Sequence, residues 1–316
     1  MGGKPPGFGG QQVAKGQALS ALTPAKQGES GRPVPTADEL ARAAKFEARA
    51  PRYALDDVVL SDEALARVKG MLAKVEHHHV LYEQWGLKKL EQGAGRLVFN
   101  LYGPPGTGKT MLAEALAARL GRHLIEVSYA EIESKYVGDT PKNITAAFTA
   151  ARESGAALFF DEADSILGRR MTSVTQASDH AVNVSRAVML KQLDAFDGVV
   201  MFATNLARNF DDAFVRRILF HVEIPLPDAP ALRRLWSSML PEALPGRADL
   251  DLADLAAASE GLAGGDIRNV VVMAATEAVQ RLGAERRVTQ GDLSRAIAHV
   301  RAAKAQVGAG GGPRPA

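Results

Sequence analysis

The stretch Gly103-Pro104-Pro105-Gly106-Thr107-Gly108-Lys109-Thr110 constrains this chain more than any other. It follows the apolar run Leu97-Val98-Phe99-Asn100-Leu101-Tyr102 and precedes a helical run, Met111–Leu120, closed by Gly121. A G-x-x-x-x-G-K-T between a buried strand and a helix is a phosphate-binding loop. Its glycines let successive backbone N–H groups turn inward onto phosphate oxygens. The helix that follows offers its positive end to the same anion. Pro104 to Met111 therefore line the expected nucleotide site, with Lys109 on the β- and γ-phosphates and Thr110 on Mg²⁺. The expected ligands are ATP and Mg²⁺.

Further strand signals alternate with helices. They are Leu124–Val127, Ala157–Phe160, Val199–Ala203 and Phe220–Ile224, and Thr140-Pro141 reads as the cap of a helix running to about Arg152. Such alternation predicts an α/β fold, a parallel sheet with helices on both faces. Beyond Pro225 only helical periodicity remains, over Asp251–Ala258, Asp266–Leu282 and Gln290–Arg301. The expected domains are a mostly disordered segment 1–50, with helix near Ala37–Ala48, an α/β domain 51–226, a small helical domain 227–303 and a flexible tail 304–316. The first of these is rich in Gly, Pro and Gln and too poor in aliphatics to form a core.

Ligands of open α/β sheets bind at the carboxyl ends of the strands. The third strand ends there in Asp161-Glu162-Ala163-Asp164. Asp161 suits the Mg²⁺ shell. Glu162 suits a general base on the attacking water. Asn205, after the fourth strand, can hydrogen-bond the γ-phosphate and that water.

Composition narrows the function classes. The net charge of +2 predicts no strong nucleic-acid field. The absence of cysteine excludes thiolate metal sites and cysteine nucleophiles. No apolar run is long enough to span a membrane. No targeting segment is visible, and a cytoplasmic location is expected. His77-His78-His79 point around most of a helix and are read as structural or surface residues, and Trp85 and Trp236 as packing anchors.

Taken together, Gly103–Thr110, Asp161-Glu162, Asn205, Asp211–Arg217 and Gly261–Ile267 resemble the AAA+ ATPases, in the branch that remodels proteins. The resemblance covers about 53–302. It implies a P-loop NTPase with sheet order 5-1-4-3-2, a helical lid over the nucleotide, and a homo-hexameric ring with ATP between subunits. It also implies a finger arginine just before the fifth strand that reaches the neighbour's site. Arg217 is the expected finger and Arg216 its assistant. Many relatives place another arginine at the start of the lid helix, where this chain has Gly265.

Ser134-Lys135-Tyr136-Val137-Gly138-Asp139 resembles the central-pore loop of protein-threading members. Lys135, Tyr136 and Val137 are thus the expected grip on a polypeptide client. An aromatic ring holds an extended chain by apolar contact and needs little sequence information. Ser134-Lys135-Tyr136, Ser178-Asp179 and Asp212–Val215 resemble the pachytene-checkpoint group. That narrower likeness implies a HORMA-domain client and a part in bacterial antiviral signalling, although the group keeps an arginine where Gly265 stands. The alternative reading is a DNA-directed AAA+ ATPase of initiator or clamp-loader type. It calls for a basic face and no pore aromatic.

Overall fold

The computed structural model describes residues 35–90, 96–132, 139–168, 177–205 and 210–308. Five strands are present: β1 (Leu97–Tyr102), β2 (Leu124–Ser128), β3 (Ala157–Asp161), β4 (Val199–Thr204) and β5 (Phe220–Glu223). They form one parallel sheet in the order β2-β3-β4-β1-β5. This is the expected 5-1-4-3-2 order.

Alternate side chains of a strand point to opposite faces. In β1, Leu97, Phe99 and Leu101 enter one core and Val98 the other. Both faces are covered, which is why these strands read as continuous apolar runs. The Leu97 face packs on α2 (Asp62–Glu76) and α3 (Lys109–Arg119) through Val68, Met71, Leu112 and Leu116. The other face packs on α5 (Asp139–Ser154) and α7 (Ala177–Ala195), with Phe148 edge-on to Phe196 and Phe160 stacked on Phe202. Short helices α4 (Tyr129–Ile132), α6 (Asp164–Leu167) and α8 (Asp212–Val215) link the layers. Thr140 and Pro141 lie inside the first turn of α5, because the helix begins at Asp139, slightly before the expected cap.

Four helices follow: α9 (Ala229–Met239), α10 (Leu252–Ala258), α11 (Gly264–Ala278) and α12 (Gln290–Gly308). They surround Trp236, fully buried, whose indole N–H donates to the buried Ser259 hydroxyl at 3.1 Å. Trp85 departs from its expected packing role: it is 70% exposed. His78, of the histidine triplet, stacks on Tyr82 at 4.6 Å.

The first described helix falls within the helical stretch expected near Ala37–Ala48. Residues 37–43 form α1 (Ala37–Ala43), capped by Thr36 and Glu39, and Ala43 joins the core under α5. Arg49 then pairs with Leu124 across the free edge of β2, through N–H···O contacts of 2.9 and 2.8 Å. Arg49 and Arg52 both reach Glu114 of α3, at 2.8 and 2.6 Å, and its side chain is wholly buried. So part of 1–50 is docked by charge and edge pairing, neither of which hydrophobic patterning detects. At the other end α12 continues to Gly308. Its alanines favour helix, and Lys304 pairs with Asp266 of α11 at 2.6 Å.

Candidate active site

β1 delivers the phosphate loop to the middle of the sheet's carboxyl edge, between β4 and β5. Gly103 is the residue that permits this. A Cβ there would lie 2.1 Å from the Ile224 carbonyl oxygen, and its φ is +149°. Gly106 and Gly108 also hold positive φ, 77° and 97°, so the loop curls before α3 begins. Thr107 closes the turn by donating to the Pro104 carbonyl at 2.9 Å. Pro105 and Gly106 are exposed and Pro104, Gly108 and Thr110 half-buried, so the loop faces outward while its helix is anchored. Met111 is half-buried in the first turn of α3.

Lys109 is 8% exposed and its ammonium is saturated. It donates to the carbonyls of Gly103 and Pro104 at 2.9 Å each and to Asn205 Oδ1 at 2.8 Å. Burial lowers its pKa from the ordinary lysine value, against the pull of Asp161 and Asp164. The Thr110 hydroxyl donates to Asp161 Oδ2 at 2.9 Å. A hydroxyl and a carboxylate at that spacing are the hard oxygen donors Mg²⁺ takes, so the residues present fit the ion.

Glu162 has φ +52°, a left-handed conformation, and no other non-glycine among the described residues shares a positive φ. Its N–H donates to Asp161 Oδ1 at 2.8 Å, and Ala163 N–H donates to the Ala203 carbonyl at 2.9 Å. These bonds turn the chain sharply at the end of β3, and Glu162 is exposed there. Asp164, which the sequence reading left without a role, accepts the Asn205 backbone N–H at 3.4 Å. Its signal was present in the acid run, but its partner lies on another strand.

The lid meets this loop directly. Gly265 N–H donates to the Gly106 carbonyl at 3.0 Å, and a Cβ on Gly265 would lie 3.4 Å from Gly106 Cα. A narrow cleft beside them is lined by Val59, Leu60, Thr107, Ile224, Leu235 and Gly264. Arg234 of α9 donates to the Leu60 carbonyl at 2.6 Å, tying lid to cleft. Arg268, one turn into α11, is exposed.

Residues 99–226 match the model of the ATPase family associated with various cellular activities (AAA). The chain carries an AAA ATPase domain. Spastin of Anopheles gambiae is 36% identical over 196 residues, 58% of this chain and 23% of the relative. The proteasome-activating nucleotidase of Methanopyrus kandleri is 32% identical over 237 residues, 73% of this chain and 52% of the relative. That of Aeropyrum pernix is 31% identical over 281 residues, 86% and 66% respectively. The chain thus spans between about a quarter and two thirds of these relatives' lengths.

The two arginines of the AAA domain sit far from its own phosphate loop. Phe220 pairs in register with Phe99, so Arg217 lies three residues before that pair and Gly103 four after it. Arg217 thus precedes the amino end of β5 and Gly103 follows the carboxyl end of β1, at opposite ends of two paired parallel strands. The two arginines, of which Arg217 was the expected finger and Arg216 its assistant, differ in their surroundings within the chain. Arg217 gives its fork to Asp194 within the same chain, Nε to Oδ1 and Nη2 to Oδ2 at 2.8 Å each, and Nη1 to the Ala213 carbonyl at 2.9 Å. Arg216 is exposed and makes no side-chain hydrogen bond among the described residues. Lys135, Tyr136 and Val137, the expected pore loop, lie outside the described residues. No described helix is long and apolar enough to cross a membrane.

Proposed function

We propose that this chain is a subunit of a homo-hexameric ring that hydrolyses ATP to unfold or remodel a polypeptide. The observation that carries the reading is the placement of Arg216 and Arg217 at the end of the sheet opposite the phosphate loop. Arg217 is engaged there by Asp194, and Arg216 is exposed and open to the site of an adjacent copy. The names of the relatives, proteasome-activating nucleotidase and 26S proteasome regulatory subunit among them, support a polypeptide as the client.

The residues divide the work as follows. Backbone N–H groups of Pro104 to Thr110 (Pro104 and Pro105 excepted, having none) take the phosphates. Lys109 transfers its donors from the Gly103 and Pro104 carbonyls to phosphate oxygens. Thr110 and Asp161 would hold Mg²⁺, which would supply positive charge against the phosphates. Glu162 accepts a proton from water on a carboxylate oxygen. Asn205 orients that water. An arginine of the adjacent copy, Arg216 by its freedom, stabilises the charge that develops on the γ-phosphate. Movement of the lid through the Gly265–Gly106 contact would then drive the Tyr136 loop against the client.

Two inactive variants test the shared site. Glu162→Gln lacks the base and Arg216→Ala lacks the arginine, so each alone is expected to turn over poorly. Mixed, they form interfaces that hold one intact Glu162 and one intact Arg216, and part of the activity returns. Mixed rings that stay inactive at every ratio would overturn the reading. The client is read by trapping it on Glu162→Gln with saturating Mg-ATP. A polypeptide that thread-tests positive and is lost with Tyr136→Ala supports remodelling, and a HORMA-domain protein would specify the narrower antiviral role. Recovery of DNA instead supports the DNA-directed alternative.

A further inference from the structure

Asp194 stands at the end of α7, remote from the nucleotide, yet it collects two arginines. Arg217 engages both of its carboxylate oxygens at 2.8 Å. Arg96, just ahead of β1, donates to Asp194 Oδ1 at 3.5 Å and to the Leu193 carbonyl at 3.2 Å. The fork of Arg217 matches a carboxylate in planar, bidentate fashion, the arrangement with most directional control. The hydrogen bonds from Arg217 hold the Asp194 carboxyl below its usual range, and the carboxylate in turn raises the arginine.

The clamp joins two elements. On one side is the turn from α8 to β5, which carries Arg216. On the other is α7, whose buried Arg186 donates from Nε to the Ile166 carbonyl of α6 at 3.1 Å. Helix α6 begins two residues after Glu162. One continuous path therefore runs from the acids at the nucleotide, through α6 and α7, to Asp194 and the arginine turn. Arg217, with its fork filled within the chain, is a strut in this path, and the neighbouring Arg216 is the group left to reach outward.

We propose that Asp194 is a positioning residue for hydrolysis in the adjacent subunit: by clamping Arg217, it fixes the α8–β5 turn so that Arg216 is presented to the neighbour's γ-phosphate. This inference rests on the reading that the arginine turn acts on an adjacent copy. A group that sets the arginine's approach affects the transition state and leaves ATP binding alone, so it changes kcat and spares KM.

The experiment is steady-state ATP hydrolysis by the full chain at concentrations where the ring is assembled, with thermal stability measured in parallel. Asp194→Ala is expected to lower kcat about tenfold with KM for ATP within about twofold of the parent. Arg217→Ala should do the same, and the double variant should be no worse than the poorer single, as for two halves of one contact. Asp194→Glu, which keeps the carboxylate, should recover to within about threefold. Arg96→Ala removes the other partner of Asp194 and is expected to keep kcat while lowering stability. If Arg96→Ala and Asp194→Ala lose activity alike, in step with stability, Asp194 is merely structural and the proposal falls. Parental kcat in Asp194→Ala, or losses that multiply in the double variant, also overturn it. Arg216→Ala separates the two levels. Parental turnover in that variant sinks the shared-site reading and this inference together, whereas an inactive Arg216→Ala beside a fully active Asp194→Ala sinks this inference alone.

Discussion

Lys109 Nζ donates to Asn205 Oδ1 across 2.8 Å, joining the phosphate loop after β1 to the tip of β4. The same ammonium holds the carbonyls of Gly103 and Pro104. Loop and strand tip are thus set by one buried cation before any phosphate arrives. In the proposed function, Lys109 turns from the Gly103 and Pro104 carbonyls to phosphate oxygens while Asn205 orients the water.

Substitution should separate those two roles. Lys109→Ala removes a phosphate ligand and is expected to abolish ATP binding, read by a fluorescent nucleotide. Asn205→Ala should bind that nucleotide nearly as the parent does and lose about a hundredfold in kcat, the usual effect of removing one oriented hydrogen-bonding group. Equal loss of affinity in both variants would contradict the division.

Glu162 combines a chemical task with a strained backbone, φ +52°. The left-handed region disfavours a residue bearing a Cβ by about 1–2 kcal/mol. Glycine escapes that strain but gives up some order in the unfolded chain. Glu162→Gly is therefore expected to be as stable as the parent or up to about 1 kcal/mol more so, while hydrolysis is lost. A clear fall in unfolding midpoint would show that the turn is not under strain.

Glu114 should be the weak point of the N-terminal attachment. Burial works against its charge, but the hydrogen bonds from Arg49 and Arg52 outweigh it and keep the carboxyl far below its usual range. Glu114→Ala leaves two guanidinium groups without their shared partner. We expect a lower midpoint in urea unfolding, because residues 49–52 lose the carboxylate that docks them on α3. Trypsin should then cut at Arg49 or Arg52 well before the sheet unfolds.

His221 predicts an acid-side loss of stability. Burial lowers its pKa from 6.5, opposed only in part by the Val215 backbone. Between the folded and unfolded values the unfolded chain binds a proton that the folded chain does not, so stability falls as pH drops through about 6.5. It levels off once the pH is below the folded value. In His221→Gln this part of the slope should vanish, measured as the difference in melting temperature from the parent between pH 7.5 and 5. An unchanged slope would assign the effect to another group.

Much of the active site was legible because its parts are local. Gly103–Thr110 must curl around an anion, and its glycines, lysine and threonine sit at spacings set by the backbone itself. The apolar strands announce burial on both faces, and the acids that end β3 follow from where such a strand stops. Asp164 was visible but mute, since its partner Asn205 lies on another strand. The docking of the N-terminal residues was out of reach of the sequence for a related reason. Residues 37–53 look unfit for a core, yet they dock by an edge pairing with Leu124 and two arginines on Glu114.

By itself, then, the sequence determined the groups on offer: a phosphate loop, a hydroxyl and a carboxylate proposed for magnesium, a proposed base and two arginines, on a parallel sheet followed by helices. Only the tertiary structure decided which arginine is committed. Arg216 and Arg217 are adjacent and chemically identical, and no local rule separates them. The choice comes from Asp194, 23 positions before Arg217 in the chain but 2.8 Å from it in the fold. A charge pair formed by folding leaves no periodicity, spacing or composition to read, because its geometry exists only once α7 and β5 have packed against the same sheet.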